Sequence, residues 1–290
     1  MMQHVSINGR LVTRAQARVS VADGGFLHGE GLFETIRLYA ARPLFLDSHL
    51  DRLRAGARLL GLACPPARTF RREVNRVVRA NRVRDDAVCR ISLSRAPSRR
   101  PRPRGEAAAT RVILLRPLPE DIARATERGV HARTLRFDRA AGPSAAVKSL
   151  SYLPSILALR AADLAGAAEA VFISADDQVL EGATTNVFAR VGDVLVTPPA
   201  DGRILPGVMR GRLIALGGGG LPPIKEAPLP FRDLAEAPEV FLTNAIREVV
   251  PVTRLDGRRI GGGRPGPFTR SLQEACRAAM TLPPSRRPKK

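Results

Sequence analysis

The chain has 290 residues, of which 44% are hydrophobic and 26% are charged, proportions typical of a globular protein that exclude bulk disorder. Its three cysteines are widely separated and its apolar runs are short, which excludes a disulfide framework, a cysteine metal centre and a membrane helix, and predicts a cytoplasmic location. The net charge is +20, but only four of the 47 cations are lysines and aromatic residues are scarce, so compositional bias explains the charge better than nucleic-acid binding.

The first part of the chain alternates strands and helices. The segment VSINGRLV alternates apolar and polar residues around an Asn-Gly pair, which is typical of a β-hairpin. GLFETIRLY and PLFL are predicted as strands, followed by a helix from Leu46 to a stop at Gly61 and a second helix over 67–81. AVCRISLSR and TRVILLRPL are predicted as strands, and the Pro- and Arg-rich stretch 97–106 between them as an exposed loop.

The second part begins near PLPEDIA, which predicts lobes over 1–118 and 119–278 and a disordered basic tail over 279–290. VHARTLRF is predicted as a strand, and a helix follows Tyr152. The segments EAVFIS, VLEGATTNVFARV, DVLVTPP and EVFLTNAI are predicted as short strands, and VMRGRLIALG and FTRSLQEACRAAM as helices. The pattern predicts an α+β protein with two lobes.

Lys148 is the first lysine of the chain and the only one before residue 225. An arginine cannot replace a lysine that acts as a nucleophile or base, because its pKa stays too high. A lysine with a lowered pKa can form a Schiff base or accept a proton. The surrounding sequence, AAVKSLSYL, is small and apolar, which favours burial over the alternative of a surface lysine.

Three further segments carry polar groups next to turns. Glu181 in VLEGATTNVF could pair with a protonated ring nitrogen, although a surface glutamate at a strand end is the commoner case. ILPGVMRGRL places a turn before a helix, whose free N–H groups could bind an anion. Thr243 and Asn244 in TNAIREVVPV follow a strand and could add to a phosphate cradle.

In this order, the lysine and the three segments together resemble the fold-type IV pyridoxal-phosphate enzymes, the class IV aminotransferase family. ADGGFLHGEGLFETIR resembles the family's D-x-G…G-x-G-x-F-E-x-x-R motif, and FLDSHLDRL its H-x-x-R-L helix. The likeness runs from about Asn8 to Gly257. It implies a small α/β lobe followed by a larger β-barrel-like lobe with helices, pyridoxal 5′-phosphate as the cofactor, and a homodimer.

The resemblance also implies roles for individual residues. Lys148 would hold the cofactor covalently and carry protons, Arg52 would bind its phosphate, and Glu181 would keep its pyridine nitrogen protonated. Tyr152 would hydrogen-bond its phenolic oxygen. The other cofactor-binding residues implied are Thr185, Asn186, Val208, Met209, Thr243, Asn244 and Ala245, the last at a position where relatives often have Thr. The substrate side would comprise Arg90, Arg95 and His28, the last at an often aromatic position, with Thr35 as an acid or hydrogen-bond donor.

Two segments bear on the reaction. FLTNAIREVVPV resembles the T-N-[SA]-I…E-x-V-P segment of aminodeoxychorismate lyases, and KSLSYL their K-S-x-x-Y-L run. The sequence therefore favours a lyase that converts 4-amino-4-deoxychorismate, a small anionic amine, to 4-aminobenzoate and pyruvate after Lys148 removes a proton. The alternative is a class IV aminotransferase that moves the amino group of a branched-chain or D-amino acid to a 2-oxo acid. A third hypothesis is a basic binding protein without catalysis.

Overall fold

The computed structural model describes residues 2–98, 106–137, 145–218 and 220–281. Most of the predicted loop 97–106 and of the predicted tail 279–290 lies outside these residues. The chain divides into two compact units, Met1–Glu120 with Ala140–Pro154, and Asp121–Arg139 with Ser155–Lys290. The α+β prediction is confirmed. Lys148, which the predicted boundary assigned to the second lobe, belongs to the first unit.

The first unit contains one six-stranded sheet, in the order β2-β1-β6-β5-β3-β4, in which all neighbouring strands are antiparallel. Its strands are β1 (His4–Ile7), β2 (Arg10–Thr13), β3 (Gly31–Tyr39), β4 (Arg42–Pro43), β5 (Ala87–Arg95) and β6 (Ala109–Pro117). Its helices are α1 (Gly24–His28), α2 (Leu46–Leu59) and α3 (Ala67–Ala80). The strand predicted at PLFL is wrong after Pro43, because residues 44 and 45 form a turn and α2 begins at Leu46.

The predicted hairpin is confirmed. β1 and β2 pair with Ile7 opposite Arg10, so Asn8 and Gly9 alone form the turn. Both have positive φ, 50° and 83°, as a type I′ turn requires, and this is the conformation for which Asn-Gly is preferred.

The core of the first unit lies between its sheet and helices α2 and α3. Because side chains alternate along β3, Leu32, Ile36 and Leu38 all point to this core. On the helices, Leu50 and Leu53 of α2 and the valines of α3 meet them at helical spacing. Glu34 belongs to the same core-facing set of β3, so its carboxylate needs a buried partner.

The second unit contains a nine-stranded mixed sheet in the order β12-β11-β10-β13-β14-β7-β8-β9, with β15 paired to β14. Its strands are β7 (Val130–Arg136), β8 (Glu169–Ile173), β9 (Val179–Gly182), β10 (Asn186–Val191), β11 (Val194–Thr197), β12 (Ile224–Glu226), β13 (Val240–Asn244), β14 (Glu248–Leu255) and β15 (Arg258–Arg259). The helices are α4 (Ile122–Arg128), α5 (Leu153–Leu164, which begins in the first unit), α6 (Val208–Leu216), α7 (Phe231–Glu236) and α8 (Pro267–Thr281).

The central strands of this sheet are buried on both faces, as in Glu169–Ile173 and Val240–Asn244. Such strands are continuous apolar runs rather than alternating ones. VLEGATTNVFARV forms two strands, because residues 183–185 turn between β9 and β10. None of the described helices is both long and apolar enough to cross a membrane.

Candidate active site

Lys148 lies in an extended segment that pairs with the beginning of β3. The carbonyl of Lys148 accepts a hydrogen bond from the Phe33 N–H at 2.9 Å, and the Leu150 N–H donates to Gly31 at 2.8 Å. Val147 is anchored in the core, which leaves Lys148 half-buried on the opposite side. The backbone of the lysine is therefore fixed by the sheet, as a covalent attachment point requires.

Phe33 is the centre of an aromatic and cationic cluster. Its ring, 3% exposed, has the Lys148 Nζ at 4.6 Å and the Arg90 guanidinium carbon at 3.9 Å from its centroid. Tyr152 packs edge-on against the same ring, with a centroid distance of 5.3 Å. The structure thus brings together three of the predicted residues around a phenylalanine that the sequence analysis did not assign.

Arg52 is held by a buried carboxylate. Its Nε and Nη2 donate to the two oxygens of Glu34 at 2.8 and 2.6 Å, and the Nδ1 of His49 lies 2.7 Å from one of them. Burial by itself would raise the pKa of Glu34, but the charge and hydrogen bonds of Arg52, with a smaller effect of His49, lower it to about 2. Burial also lowers the pKa of His49, against the opposing hydrogen bond and charge of Glu34.

The two candidate substrate arginines differ in their partners. Arg95 donates to Glu30 at 2.6 Å and to the Leu60 carbonyl at 3.2 Å. Arg90 pairs with no carboxylate in the described part of the chain. Burial, and then the charge of Arg116, lower the pKa of Arg90. A desolvated cation without an anion is the better candidate for binding a carboxylate.

The remaining two predicted residues of the substrate side, Thr35 and His28, differ in exposure. Thr35 is half-buried. It is opposite Arg90 in the β3–β5 register, so both side chains lie on the same face of the sheet. His28 ends the short helix α1 and is exposed.

In the second unit, Glu181 is buried at 4% exposure near the end of β9. One carboxylate oxygen, Oε2, accepts from the Leu205 N–H at 3.0 Å and from the Asn186 Nδ2 at 3.2 Å. Leu205 precedes α6 in the Leu-Pro-Gly turn. The predicted glutamate is thus an internal, oriented carboxylate rather than a surface side chain.

The first turn of α6 has the groups that suit a phosphate. Gly207 occupies the N-cap, and no side chain caps the turn that Val208 and Met209 begin. α6 packs against β13, where the Thr243 hydroxyl is buried without a hydrogen-bond partner among the described residues. Free amide donors at a helix start and an unsatisfied buried hydroxyl both favour an anionic ligand. The residues present therefore fit a cofactor with a phosphate group.

The other predicted cofactor residues make internal contacts. Thr185 donates to Glu169 at 3.2 Å, next to a 2.5 Å bond from Thr184 to the same oxygen. The Asn244 Oδ1 accepts from the N–H groups of residues 246 and 247 and so shapes the turn that contains Ala245. Their side chains organise the turns rather than offering free donors.

Sequence reasoning missed Glu34, His49 and Phe33. The sequence does contain a pattern that could have identified Glu34 and His49. In LFETIRLY, Glu34 shares the period-two face of Leu32 and Ile36, and a charge in that position needs a cation. His49 and Arg52, three residues apart on one helix face, are that partner set.

A family model, amino-transferase class IV, matches residues 31–255. A Methanocaldococcus jannaschii protein named "Putative branched-chain-amino-acid aminotransferase" is 36% identical, with 96% of each chain covered. The D-alanine aminotransferase of Bacillus licheniformis is 30% identical, with 95% of this chain and 96% of the relative covered.

Solved structures are also similar. The branched-chain aminotransferase of Thermoproteus uzoniensis with norvaline has a TM-score of 0.87 at 29% identity, covering 96% of this chain and 94% of the other. A Mycobacterium tuberculosis "hypothetical aminotransferase" in a PLP-bound form has 0.83 at 27%, covering 96% and 99%. A Legionella pneumophila protein named "Putative 4-amino-4-deoxychorismate lyase" has 0.83 at 26%, covering 91% and 96%.

Proposed function

We propose a reaction for this chain, which belongs to the amino-transferase class IV family. It is an aminotransferase that moves the amino group of a branched-chain or D-amino acid to a 2-oxo acid. The observation that carries the proposal is the full-length similarity to relatives named aminotransferases, at 36% and 30% identity. Enzymes of this family use pyridoxal 5′-phosphate. When bound, it supplies an aldehyde that takes up the amino group and a ring that withdraws electrons from the substrate Cα.

Lys148 is proposed as the cofactor-bearing lysine and proton carrier. Its Nζ would take a proton from the substrate Cα and pass it to the cofactor in the first half-reaction, and would carry a proton in the reverse direction, to the Cα of the 2-oxo acid, in the second. The sheet pairing of its backbone and the Phe33 ring beside its Nζ keep the amine in a fixed, partly desolvated position. Tyr152, edge-on to the same ring, is proposed to hydrogen-bond the phenolic oxygen of the cofactor.

Each unit contains groups with proposed roles in cofactor binding. Arg52 binds the cofactor phosphate, with its orientation set by Glu34. Within the second unit, the first turn of α6 and the Thr243 hydroxyl are neutral donors that suit a phosphate group. Glu181 places a buried negative charge for the pyridine nitrogen, which keeps that nitrogen protonated.

Arg90 is proposed to bind a substrate carboxylate. It stacks on Phe33 beside Lys148 and pairs with no carboxylate among the described residues, whereas Arg95 is occupied by Glu30. Amino acids and 2-oxo acids both carry such a carboxylate. The proposed substrate class is therefore small and anionic at one end, and a homodimer is proposed as the assembly.

The lyase that the sequence favoured is the second candidate. The observations in its favour are the T-N-A-I segment at Thr243 and the similarity to the Legionella protein. They weigh less than the aminotransferase relatives, because the lyase neighbour is 26% identical whereas the M. jannaschii relative is 36% identical.

Product analysis separates the two reactions. The purified, cofactor-loaded protein is incubated with leucine, valine or D-alanine together with 2-oxoglutarate or pyruvate, and in parallel with 4-amino-4-deoxychorismate alone. The aminotransferase proposal expects a new amino acid from the 2-oxo acid. Pyruvate and 4-aminobenzoate formed without a 2-oxo acid, with no amino transfer, would reject it in favour of the lyase.

A further inference from the structure

Asn186 is placed where three parts of the second unit meet. It begins β10, is 5% exposed, and lies opposite Thr243 in the β10–β13 register. An amide nitrogen carries two hydrogens, and both are used here. The Asn186 Nδ2 donates to the Glu181 Oε2 at 3.2 Å and to the Leu205 carbonyl at 3.0 Å.

Leu205 closes this arrangement. Its N–H donates at 3.0 Å to the same Glu181 oxygen that Asn186 contacts, so three residues form a ring of hydrogen bonds. The ring joins β9, β10 and the turn before α6. A carboxylate that accepts two donors on one oxygen is fixed in orientation, and the loss of a donor to a buried charge is costly.

The other end of the Asn186 amide lies against Gly207, the residue before α6. A Cβ built on Gly207, the N-cap of this helix, would overlap the Asn186 Oδ1. The Gly207 backbone, at φ −64° and ψ 136°, is open to any residue. The close approach of Asn186, and not a left-handed conformation, is therefore what requires glycine at this position.

We propose that Asn186 is a positioning residue that ties the Glu181 carboxylate to the first turn of α6. It sets the distance between the Glu181 carboxylate, which is proposed to face the cofactor's pyridine nitrogen, and the first-turn amides of α6, which are proposed to bind its phosphate. This assignment rests on the proposed function, which gives those two groups their roles. It replaces the expectation that Asn186 contacts the cofactor itself, because both of its donors are used within the protein.

The test measures the affinity of the full chain, freed of cofactor, for pyridoxamine 5′-phosphate, which cannot bond covalently to Lys148. Asn186→Ala is expected to weaken binding about tenfold or more, since the bond removed is to a charged group. In a Glu181→Gln background, the same change is expected to cost about threefold or less, because the oriented charge is already gone. The matched control is Thr197→Val. The buried Thr197 hydroxyl donates to the Val187 carbonyl at 2.8 Å, and its loss is expected to leave the affinity within about twofold.

Gly207→Ala tests the same contact from the side of α6. Alone, this change should weaken the binding of pyridoxamine 5′-phosphate about tenfold. It should weaken the binding of pyridoxamine less, because the displaced first turn of α6 is the part proposed to bind the phosphate. Combined with Asn186→Ala, it should add no more than about twofold, since the overlap is relieved.

Equal losses from Asn186→Ala in both backgrounds, or a loss below about twofold, would overturn the assignment. So would a Gly207→Ala effect that is unchanged by removal of the asparagine side chain. A failure of the unsubstituted chain to bind pyridoxamine 5′-phosphate at all would instead overturn the proposed function, and this assignment with it.

Discussion

Glu34 and Arg52 form a two-bond ion pair in which the carboxylate is inside the core of the first unit and the guanidinium reaches its edge. The side chains are 1% and 13% exposed. The pair is not a surface salt bridge, whose contribution would be small. Removal of either partner would leave a buried charge uncompensated, which typically costs several kcal/mol. The arginine proposed to bind phosphate is thus held rigidly before any ligand arrives.

The first prediction concerns stability in acid. The pKa of Glu34 falls from 4.5 to about 2 on folding, so its contribution is present above about pH 4.5 and is lost as the pH falls toward 2. The shift corresponds to about 3 kcal/mol. In Glu34→Gln, the free energy of unfolding, measured with urea, should be lower near pH 7 and should change less between pH 5 and pH 2.

Glu73→Gln is the matched control for this prediction. Glu73 is also buried and accepts two hydrogen bonds from an arginine, Arg111, at 2.9 and 2.7 Å. Both variants should lose stability, but only Glu34→Gln should weaken the binding of pyridoxamine 5′-phosphate. Equal ligand affinity in the two variants would contradict the positioning of Arg52 by Glu34.

The second prediction concerns Lys148. Lys148→Arg keeps a cation beside Phe33 but supplies no amine that can attack an aldehyde or carry a proton at neutral pH. Both Lys148→Arg and Lys148→Ala should lose the visible absorption that arises from the covalent bond between the lysine and the cofactor. Both should also lower kcat by about a thousandfold or more. Lys225→Arg, a substitution of an exposed lysine, is the control and should change neither. Retained absorption in Lys148→Arg would place the attachment elsewhere.

These residues show what the sequence could and could not predict. The sequence predicts roles for Lys148, Glu181 and Arg52, because their residue types are unusual in their surroundings or match a spaced motif. The elements β3, β5, α2 and α3 followed from apolar periods of two and 3.6. Pairings between residues that are distant in the sequence cannot be predicted from these periods. Nothing local distinguishes Arg95, held by Glu30, from Arg90, because the difference lies in a partner 65 residues away.

The third prediction uses that difference. Arg90→Gln should raise the KM for the amino acid and the 2-oxo acid about tenfold or more, because a charge-assisted bond to a carboxylate is lost. Its thermal stability should change little. Arg95→Gln should lower the melting temperature, because Glu30 and the Leu60 carbonyl lose their donor, while KM changes less. The opposite assignment of the two effects would show that Arg95 binds the substrate.

The fourth prediction concerns Glu169, which accepts from both threonines that follow Gly182 and Ala183. Burial raises the pKa of this carboxyl, against the hydrogen bonds of Thr184, Ala170 and Thr185 and the charge of Arg247, which lower it. For a raised pKa, stability is fully present below the unfolded-state value of 4.5 and is lost as the pH rises through the folded-state value.

Glu169→Gln is uncharged at every pH, so it should remove this loss. The free energy of unfolding of the variant should decline less than that of the unsubstituted chain between pH 5 and pH 8. Thr184→Val keeps the carboxyl but removes its 2.5 Å donor. The carboxylate is then less well solvated, so the decline should become steeper. If Glu169→Gln and the unsubstituted chain instead follow parallel curves, then Glu169 binds the same number of protons in the folded and unfolded states, and the shared-donor arrangement around it does not control its charge.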